Sequence, residues 1–483
     1  MSEFFLAGLR AFLPADALIT DAARLRAFEC DALSAYRQLP LAVALPSTEA
    51  EVAAVMRLAA RHHIPLVPRG SGTGLSGGAL PVEGGLVIGL SRMRRVLHVD
   101  PLARTARVQP GVANQAISDA VAPFGLYYAP DPSSQIACSI GGNVAENAGG
   151  IHCLKYGLTV HNVLGLRAVT AEGDFVELGG GALDSPGYDL MGLMIGSEGL
   201  LGVITEVTVR LLPKPAMARL ILASFDHVET AADAVAGIIG AGMIPAALEM
   251  MDGATVRAVN DFMRIGYPET AGAVLLCELD GTPEEVEQDV ARASGLLRQA
   301  GACELRISVT EADRQRLWAG RKAAFPAAAK LAPDYYCMDG SIPRGKVGEV
   351  LGEIARLRAE FGLDCINVFH AGDGNLHPLI LFDANQEGEL ARAEAFGTRI
   401  AALCVAAGGA ITGEHGVGTE KLDGMCEQFN AAEIERFGAI KRAFDPHGRL
   451  NPGKLIPTLH RCAEYGRMHV HQGQLPHPQL PRF

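Results

Sequence analysis

Glycine limits this chain more than any other residue type, because of where it falls. The 483 residues include 56 glycines, of which twenty-five lie between Gly70 and Gly202 and eleven more between Gly362 and Gly424. No Gly-X-Y period runs through them, so a collagen-type helix is excluded. Without a Cβ, glycine adopts left-handed backbone freely and admits a neighbour closely, so each cluster predicts backbone that turns sharply or runs against a ligand. The length predicts about three structural units, or two large ones, to carry these clusters.

Charge and hydropathy exclude several function classes. Lys and Arg number 42 and Asp and Glu 54, a net charge of −12. That balance, with no basic stripe, argues against a nucleic-acid partner. The opening MSEFFLAGLRAFLP carries Glu3 and lacks a basic region before a long apolar one, so no signal peptide is expected. The longest uncharged run, Ala234 to Leu248, is broken by Gly237, Gly240, Gly242 and Pro245 and is too short to span a bilayer. Ten cysteines without a Cys-x-x-Cys pair fit reduced thiols in a cytoplasmic protein. Electron transfer by such a chain requires a cofactor other than a cysteine-held cluster.

Residues 1–37 read as a helical cap. Thr48 and Glu51 have capping-box spacing, and Val52, Val55, Met56 and Ala59 follow at helical intervals, which predicts a helix to about His62. Strands are expected at Leu86–Leu90, Val96–Val99, Thr105–Val108 and Val203–Leu211, the last from strict alternation. Pro213-Lys-Pro215 marks a domain boundary. Beyond it, strands at Arg219–Ser224 and Ala273–Leu279 alternate with helical stretches such as Pro283–Ala300, the pattern of an α+β domain with helices on one face of an antiparallel sheet.

The first cluster opens with Arg69-Gly70-Ser71-Gly72-Thr73-Gly74-Leu75-Ser76-Gly77-Gly78, a formal GxGxxG. A dinucleotide fingerprint needs a helix to open inside the motif and receive the pyrophosphate. Here the glycines run into Pro81 and Gly84-Gly85, so no helix can begin, and no GK[ST] ending is present. What remains is a loop of successive N–H groups able to form an anion nest. It is followed by Asp131-Pro132-Ser133-Ser134, Gly141-Gly142-Asn143, Asn147-Ala148-Gly149-Gly150, Lys155-Tyr156-Gly157 and Gly196-Ser197-Glu198-Gly199-Leu200-Leu201-Gly202.

That order of motifs resembles the FAD-binding domain of the vanillyl-alcohol oxidase and p-cresol methylhydroxylase family. The resemblance implies an α+β fold with a two-part FAD-binding domain over residues 38–216. Arg69, Gly70, Ser71, Gly72, Thr73 and Gly74 would then cradle the pyrophosphate. Pro132, Ser133, Ser134, Gly142, Asn143, Ala148, Gly149, Tyr156, Gly157, Glu198, Gly199, Gly202, Val203, Ile204 and Asn451 would surround the rest of the cofactor. Some members attach FAD through a histidine in the glycine loop; Thr73 stands at that position, which implies non-covalent FAD.

The second cluster carries different chemistry. His370-Ala-Gly-Asp-Gly-Asn375-Leu-His377 sets two imidazoles across a glycine loop, and Gly413-Glu414-His415-Gly416 adds a carboxylate and a third imidazole. Two His and one Glu suit a divalent Zn, Mn or Fe ion with positions left for substrate, although hydrogen-bonded loop histidines would use the same residue types. Successive residues of an extended segment point oppositely, so Glu414 and His415 can serve two neighbouring functions, metal binding and proton abstraction. Such a set suits oxidation of a small 2-hydroxy acid: the metal acidifies the hydroxyl, a neutral histidine takes its proton and hydride leaves Cα.

These motifs resemble the C-terminal FAD-linked oxidase domain of D-2-hydroxyglutarate dehydrogenases, D-lactate dehydrogenases and glycolate oxidases. The resemblance makes His370, His377 and Glu414 metal ligands, His415 the base, and Asn375 a substrate contact. It also makes Arg321 the fork for the substrate carboxylate, a role that suits a planar guanidinium. In the hydroxyglutarate enzymes a lysine for a second carboxylate stands where this chain has Cys337, and Phe325 replaces a hydroxyl residue. Both departures favour a short monocarboxylate, glycolate or D-lactate. Tyr335–Arg344, Asn367–Asn375 and Ile456–Tyr465 extend the resemblance to the flavoprotein subunits of bacterial glycolate-oxidising complexes.

Partners implied are an iron–sulfur subunit and a second flavoprotein-like subunit, with peripheral membrane association through them. A D-2-hydroxy-acid dehydrogenase acting alone and a non-catalytic flavin scaffold are the alternatives. The expected divisions are a cap over 1–37, the FAD-binding domain over 38–216, the substrate and metal domain over 217–455 and a tail over 456–483, with His469 and His471 a docking or metal feature.

Overall fold

A computed structural model describes residues 2–182 and 187–457; the tail histidines His469 and His471 lie outside the described residues. The chain divides into two compact units. The first comprises Met1–Ala148, Leu158–Pro213 and His415–Phe483, and the second Gly149–Gly157 and Lys214–Glu414.

The first unit holds two larger sheets and a two-stranded pair, Leu126–Tyr127 with Leu212–Pro213. In one, Ala42–Ala44 and Leu66–Arg69 both pair in parallel with Leu86–Gly89, and Leu18–Ile19 adds an antiparallel edge. The helix Glu49–His62 covers this sheet. It starts where Thr48 Oγ1 accepts the Glu51 N–H at 3.2 Å and ends at His63 in left-handed backbone, φ 54°. Val52, Val55, Met56 and Ala59 point into the core as their spacing predicts. The second sheet runs Val96–Asp100, Thr105–Val108, Val203–Arg210, Val163–Val169 and Phe175–Gly179, antiparallel throughout. From Gly70 to Gly85 the chain makes turns and bends with no helix, so the GxGxxG is not a dinucleotide fingerprint.

The second unit is built on a seven-stranded antiparallel sheet. Its order is Glu304–Ile307, Met217–Phe225, Ala273–Gly281, Ala247–Asp252, Cys365–Phe369, Pro378–Phe382 and Asp334–Cys337. The helix Pro283–Gln299 begins with a full capping box between Thr282 and Glu285 and with proline in its first turn. Among the described residues eight cysteines are free, in line with reduced thiols, whereas Cys426 departs from that expectation and is disulfide-bonded. No helix among the described residues is long and apolar enough to cross a membrane.

One buried carboxylate fastens the short segment Gly149–Gly157 to this sheet. Glu278, 3% exposed, accepts from His152 Nε2 at 3.0 Å, Arg314 Nη1 at 2.7 Å and the indole N–H of Trp318. Burial alone would raise its pKa, but His152, Arg314 and Trp318 outweigh that and bring it down to about 2. A carboxyl depressed in the folded state stabilises above its unfolded pKa and loses that contribution as pH falls through the folded one. Glu278→Gln should therefore cost on the order of 3 kcal/mol at pH 7 and flatten the loss of stability between about pH 4.3 and 2. Urea unfolding at a series of pH values measures both; parallel curves for the variant and the parent would contradict this account.

Candidate active site

The site in the second unit is assembled from strand ends. His370 follows the strand Cys365–Phe369, and the tight loop Ala371–Gly374 returns the chain so that the His370 N–H bonds the Asn375 carbonyl at 3.1 Å. Gly374, φ 80°, makes that return possible; a Cβ there would strike the Ile342 carbonyl. The chain thus brings His377 beside His370, with the two rings edge to face at 5.1 Å.

Glu414 Oε1 lies 3.2 Å from His370 Nε2 and 2.9 Å from His377 Nε2, and the ligand atoms of the three residues lie within 4.8 Å of one another. Each histidine is held from behind. His370 Nδ1 meets Glu249 Oε1 at 2.7 Å, and His377 Nδ1 meets the Met338 carbonyl at 3.3 Å. Because those partners accept, both histidines turn an Nε2 lone pair toward the Glu414 oxygen when neutral. Three converging acceptors repel one another unless a proton or a cation stands among them, so the donor set fits a divalent ion. Burial would lower the His370 pKa, but Glu249 and Glu414 outweigh it and hold that pKa well above 6.5. Burial would raise Glu414, yet His370 and His377 hold it well below the usual carboxylate range.

Two residues without a motif organise this centre. Asp339, fully buried, accepts from Thr412 Oγ1, from the Gly413 N–H at 3.1 Å and from the Glu414 N–H at 3.2 Å, fixing the backbone that presents Glu414. Glu249 lies in the strand Ala247–Asp252, and its Oε2 is 2.8 Å from Arg321 Nε and 2.7 Å from Arg321 Nη2. Arg321, expected to face the substrate carboxylate, is thus 2% exposed and already ion-paired along one edge of its fork. A sequence clue to Glu249 exists: it is the charge that ends the longest uncharged run. Asn375 is buried against Gly413, where a Cβ would collide with its amide, and its Oδ1 is a buried acceptor without a partner.

In the first unit the glycine loop forms a cradle. A Cβ at Gly70 would strike Ser139 Oγ, and one at Gly72 would strike the Arg69 guanidinium. Ser76 Oγ and Ser139 Oγ are buried without hydrogen-bond partners, so polar groups there await a ligand, as FAD would require. Arg69 itself turns inward: Nη1 donates to the Cys30 carbonyl at 2.7 Å, and the guanidinium lies over the Phe28 ring.

The Glu198 carboxylate accepts from the Val417 N–H at 2.6 Å and the Gly418 N–H at 2.7 Å. Asn451 Nδ2 joins the Gly78 and Glu198 carbonyls at 2.9 and 2.7 Å. The Ser76 carbonyl accepts from Thr419 and Glu420. Glycine loop, Glu198, Asn451 and the stretch following His415 therefore come together.

Other expected cofactor residues are tied differently. Asn143 Nδ2 donates to Asn114, whose amide in turn holds the Pro130 carbonyl just before Pro132–Ser134. Gly199 packs on Pro68, Gly202 near Met194, and Val203 and Ile204 begin a buried strand. Ala148 ends a stretch of the first unit, whereas Gly149, Tyr156 and Gly157 belong to the second, where the Tyr156 hydroxyl donates to Asp280 at 2.6 Å. Cys337 is buried at the end of the strand Asp334–Cys337, and Phe325 packs edge-on against Tyr335.

Residues 40–179 match the family described as FAD binding domain, and residues 214–455 match FAD linked oxidases, C-terminal domain. Glycolate oxidase subunit GlcD of Escherichia coli (strain K12) is 58% identical over 478 residues, which cover 99% of this chain and 96% of that protein. D-lactate dehydrogenase of Anaerostipes hadrus is 35% identical over 425 residues, covering 86% and 88%. A crystal structure of p-cresol methylhydroxylase with substrate bound superposes with a TM-score of 0.80 at 18% identity, covering 95% of this chain and 97% of that one. It shows the same two-domain fold.

If the two histidines and Glu414 take a cation, that cation must displace the proton His370 holds below its raised pKa. Affinity for Zn²⁺ should then climb with pH and level once the raised value is passed. Competition with a chromogenic chelator at stepped pH measures this; an affinity indifferent to pH would remove His370 from the ligand set.

Proposed function

Because the chain belongs to the FAD-linked oxidases, we propose that it oxidises glycolate to glyoxylate as the FAD-binding catalytic subunit of a glycolate dehydrogenase complex. The observation that carries this reading is near-full-length identity of 58% with a glycolate oxidase subunit, in a chain whose second unit gathers His370, His377 and Glu414 on one point. The FAD-binding domain supports FAD as the cofactor, which, bound non-covalently, would supply the acceptor for the hydride from the substrate Cα. A divalent cation, Zn, Mn or Fe, held by the two histidines and Glu414 would bind the substrate hydroxyl and lower its pKa.

The chain's own residues supply the rest. Arg321 presents a buried guanidinium ion-paired with Glu249 along its Nε–Nη2 edge, and the far edge of the fork suits the substrate carboxylate. Asn375, whose buried amide oxygen has no hydrogen-bond partner, is the further substrate contact. His415, one residue beyond Glu414, takes the hydroxyl proton as hydride leaves Cα, so two electrons and one proton depart with the hydride and the second proton stays on the imidazole. Cys337, a neutral thiol, offers no counter-charge to a second carboxylate, which supports a monocarboxylate substrate.

Electrons would pass to an iron–sulfur subunit beside a second flavoprotein-like subunit, in the cytoplasm and peripherally on the membrane through those partners. The relative named D-lactate dehydrogenase favours a second reading, a D-2-hydroxy-acid dehydrogenase acting alone.

Anaerobic stopped-flow mixing with a panel of 2-hydroxy acids decides the substrate: glycolate should bleach the flavin fastest, and bleaching by D-lactate alone would move the assignment. His415→Ala should slow reduction by about 10²–10⁴-fold with FAD retained, whereas a scaffold subunit would keep full activity. Acid precipitation should release FAD into the supernatant; a yellow pellet would contradict non-covalent binding.

A further inference from the structure

Glu249 takes no part in the function proposed above, yet it touches both halves of the substrate machinery in the second unit. It sits on the strand Ala247–Asp252, 1% exposed, and its two oxygens are divided between two partners. Oε1 meets His370 Nδ1 at 2.7 Å, while Oε2 meets Arg321 Nε at 2.8 Å and Nη2 at 2.7 Å. The arginine and histidine that share it are themselves nearly inaccessible, at 2% and 3%. We infer that Glu249 is a positioning residue that ties the guanidinium offered to the substrate carboxylate to the imidazole offered to the metal, so that anion and cation sites are set by one rigid carboxylate.

The chemistry of each contact supports the bridge. Glutamate at Oε1 fixes the Nδ1–H tautomer of His370 and makes Nε2 a stronger donor, as outer-shell carboxylates do for ligating histidines. The backing of His377 is longer: the Met338 carbonyl at 3.3 Å and the Asp339 carboxylate at 3.9 Å. Glutamate at Oε2 takes the Nε side of the guanidinium, which aims the far edge of the fork elsewhere and offsets its charge. Without Glu249 the arginine loses both the counter-charge and the contact that orients it.

This inference rests on the metal and substrate roles proposed above, and the test separates the two. Zn²⁺ and Mn²⁺, each alone, are titrated into the FAD-loaded chain against a chromogenic chelator, for the parent, Glu249→Gln and Glu249→Asp. Aspartate keeps the charge but is one methylene too short to reach both partners, so it serves if glutamine at 249 does not fold.

Either variant should weaken cation binding by about 10–100-fold. At saturating cation, kcat for flavin reduction should return to within a few-fold of the parent while KM for the hydroxy acid stays raised, a split that general loss of structure would not give. Equal cation affinity and equal KM in parent and variants would overturn the bridge alone. Absence of cation binding by the parent would overturn the metal reading and the bridge with it.

Discussion

Buried carboxylates that grip backbone N–H groups fix the stretch of chain that carries Glu414 and His415. The stretch from Thr412 to Gly418 belongs to no helix or strand, so its course is not dictated by a hydrogen-bond ladder. In the second unit Asp339 takes the donors of Thr412, Gly413 and Glu414; in the first, Glu198 takes those of Val417 and Gly418. Between those grips stand the proposed metal ligand Glu414 and the proposed base His415, consecutive in the chain and assigned to different units. A carboxylate accepting two or three N–H bonds in a dry interior tolerates little displacement, since each lost bond leaves a buried charge uncompensated.

Such arrangements cost stability elsewhere. Glu198 holds left-handed backbone at φ 50°, a strained state for a residue with a Cβ. Burial raises the pKa of Glu198, and burial with the nearby Glu198 charge raises Glu146 well above the carboxylate range. Lys454, inside the same unit, is pushed down to about 7 by burial. Buried ion pairs of this kind contribute little net stability, and the hydrophobic clusters of the first unit supply the folding free energy. The charged groups are there for geometry.

What the sequence discloses is local and what it conceals is distant. The helix Glu49–His62 is legible because its cap and its apolar spacing lie within fifteen residues, and the loop from Gly70 is legible as non-helical because Pro81 and Gly84-Gly85 follow it. His370, His377 and Glu414 stand out because glycines flank them.

Glu249 does not, because its partners His370 and Arg321 are 121 and 72 positions away and only the seven-stranded sheet joins them. The fork of Arg321 reads as free for substrate in sequence; the fold engages one edge of it. Tyr156 likewise sits among flavin-type motifs, yet its hydroxyl is bound to Asp280, a pairing set by the fold of the second unit. Residue type and spacing announce chemistry, whereas the groups that aim it come from strand order.

The inward turn of Arg69 bears on how the glycine loop holds a phosphate. With its guanidinium bonded to Cys30 and laid over Phe28, the arginine acts as a post beneath the loop. A pyrophosphate proposed for this cradle would meet amide dipoles and hydroxyls, which are fixed partial charges inside the protein. Mobile ions screen exposed charges far more than buried dipoles. Retention of a dinucleotide by such a loop would then rest on shape and hydrogen bonding more than on ionic strength.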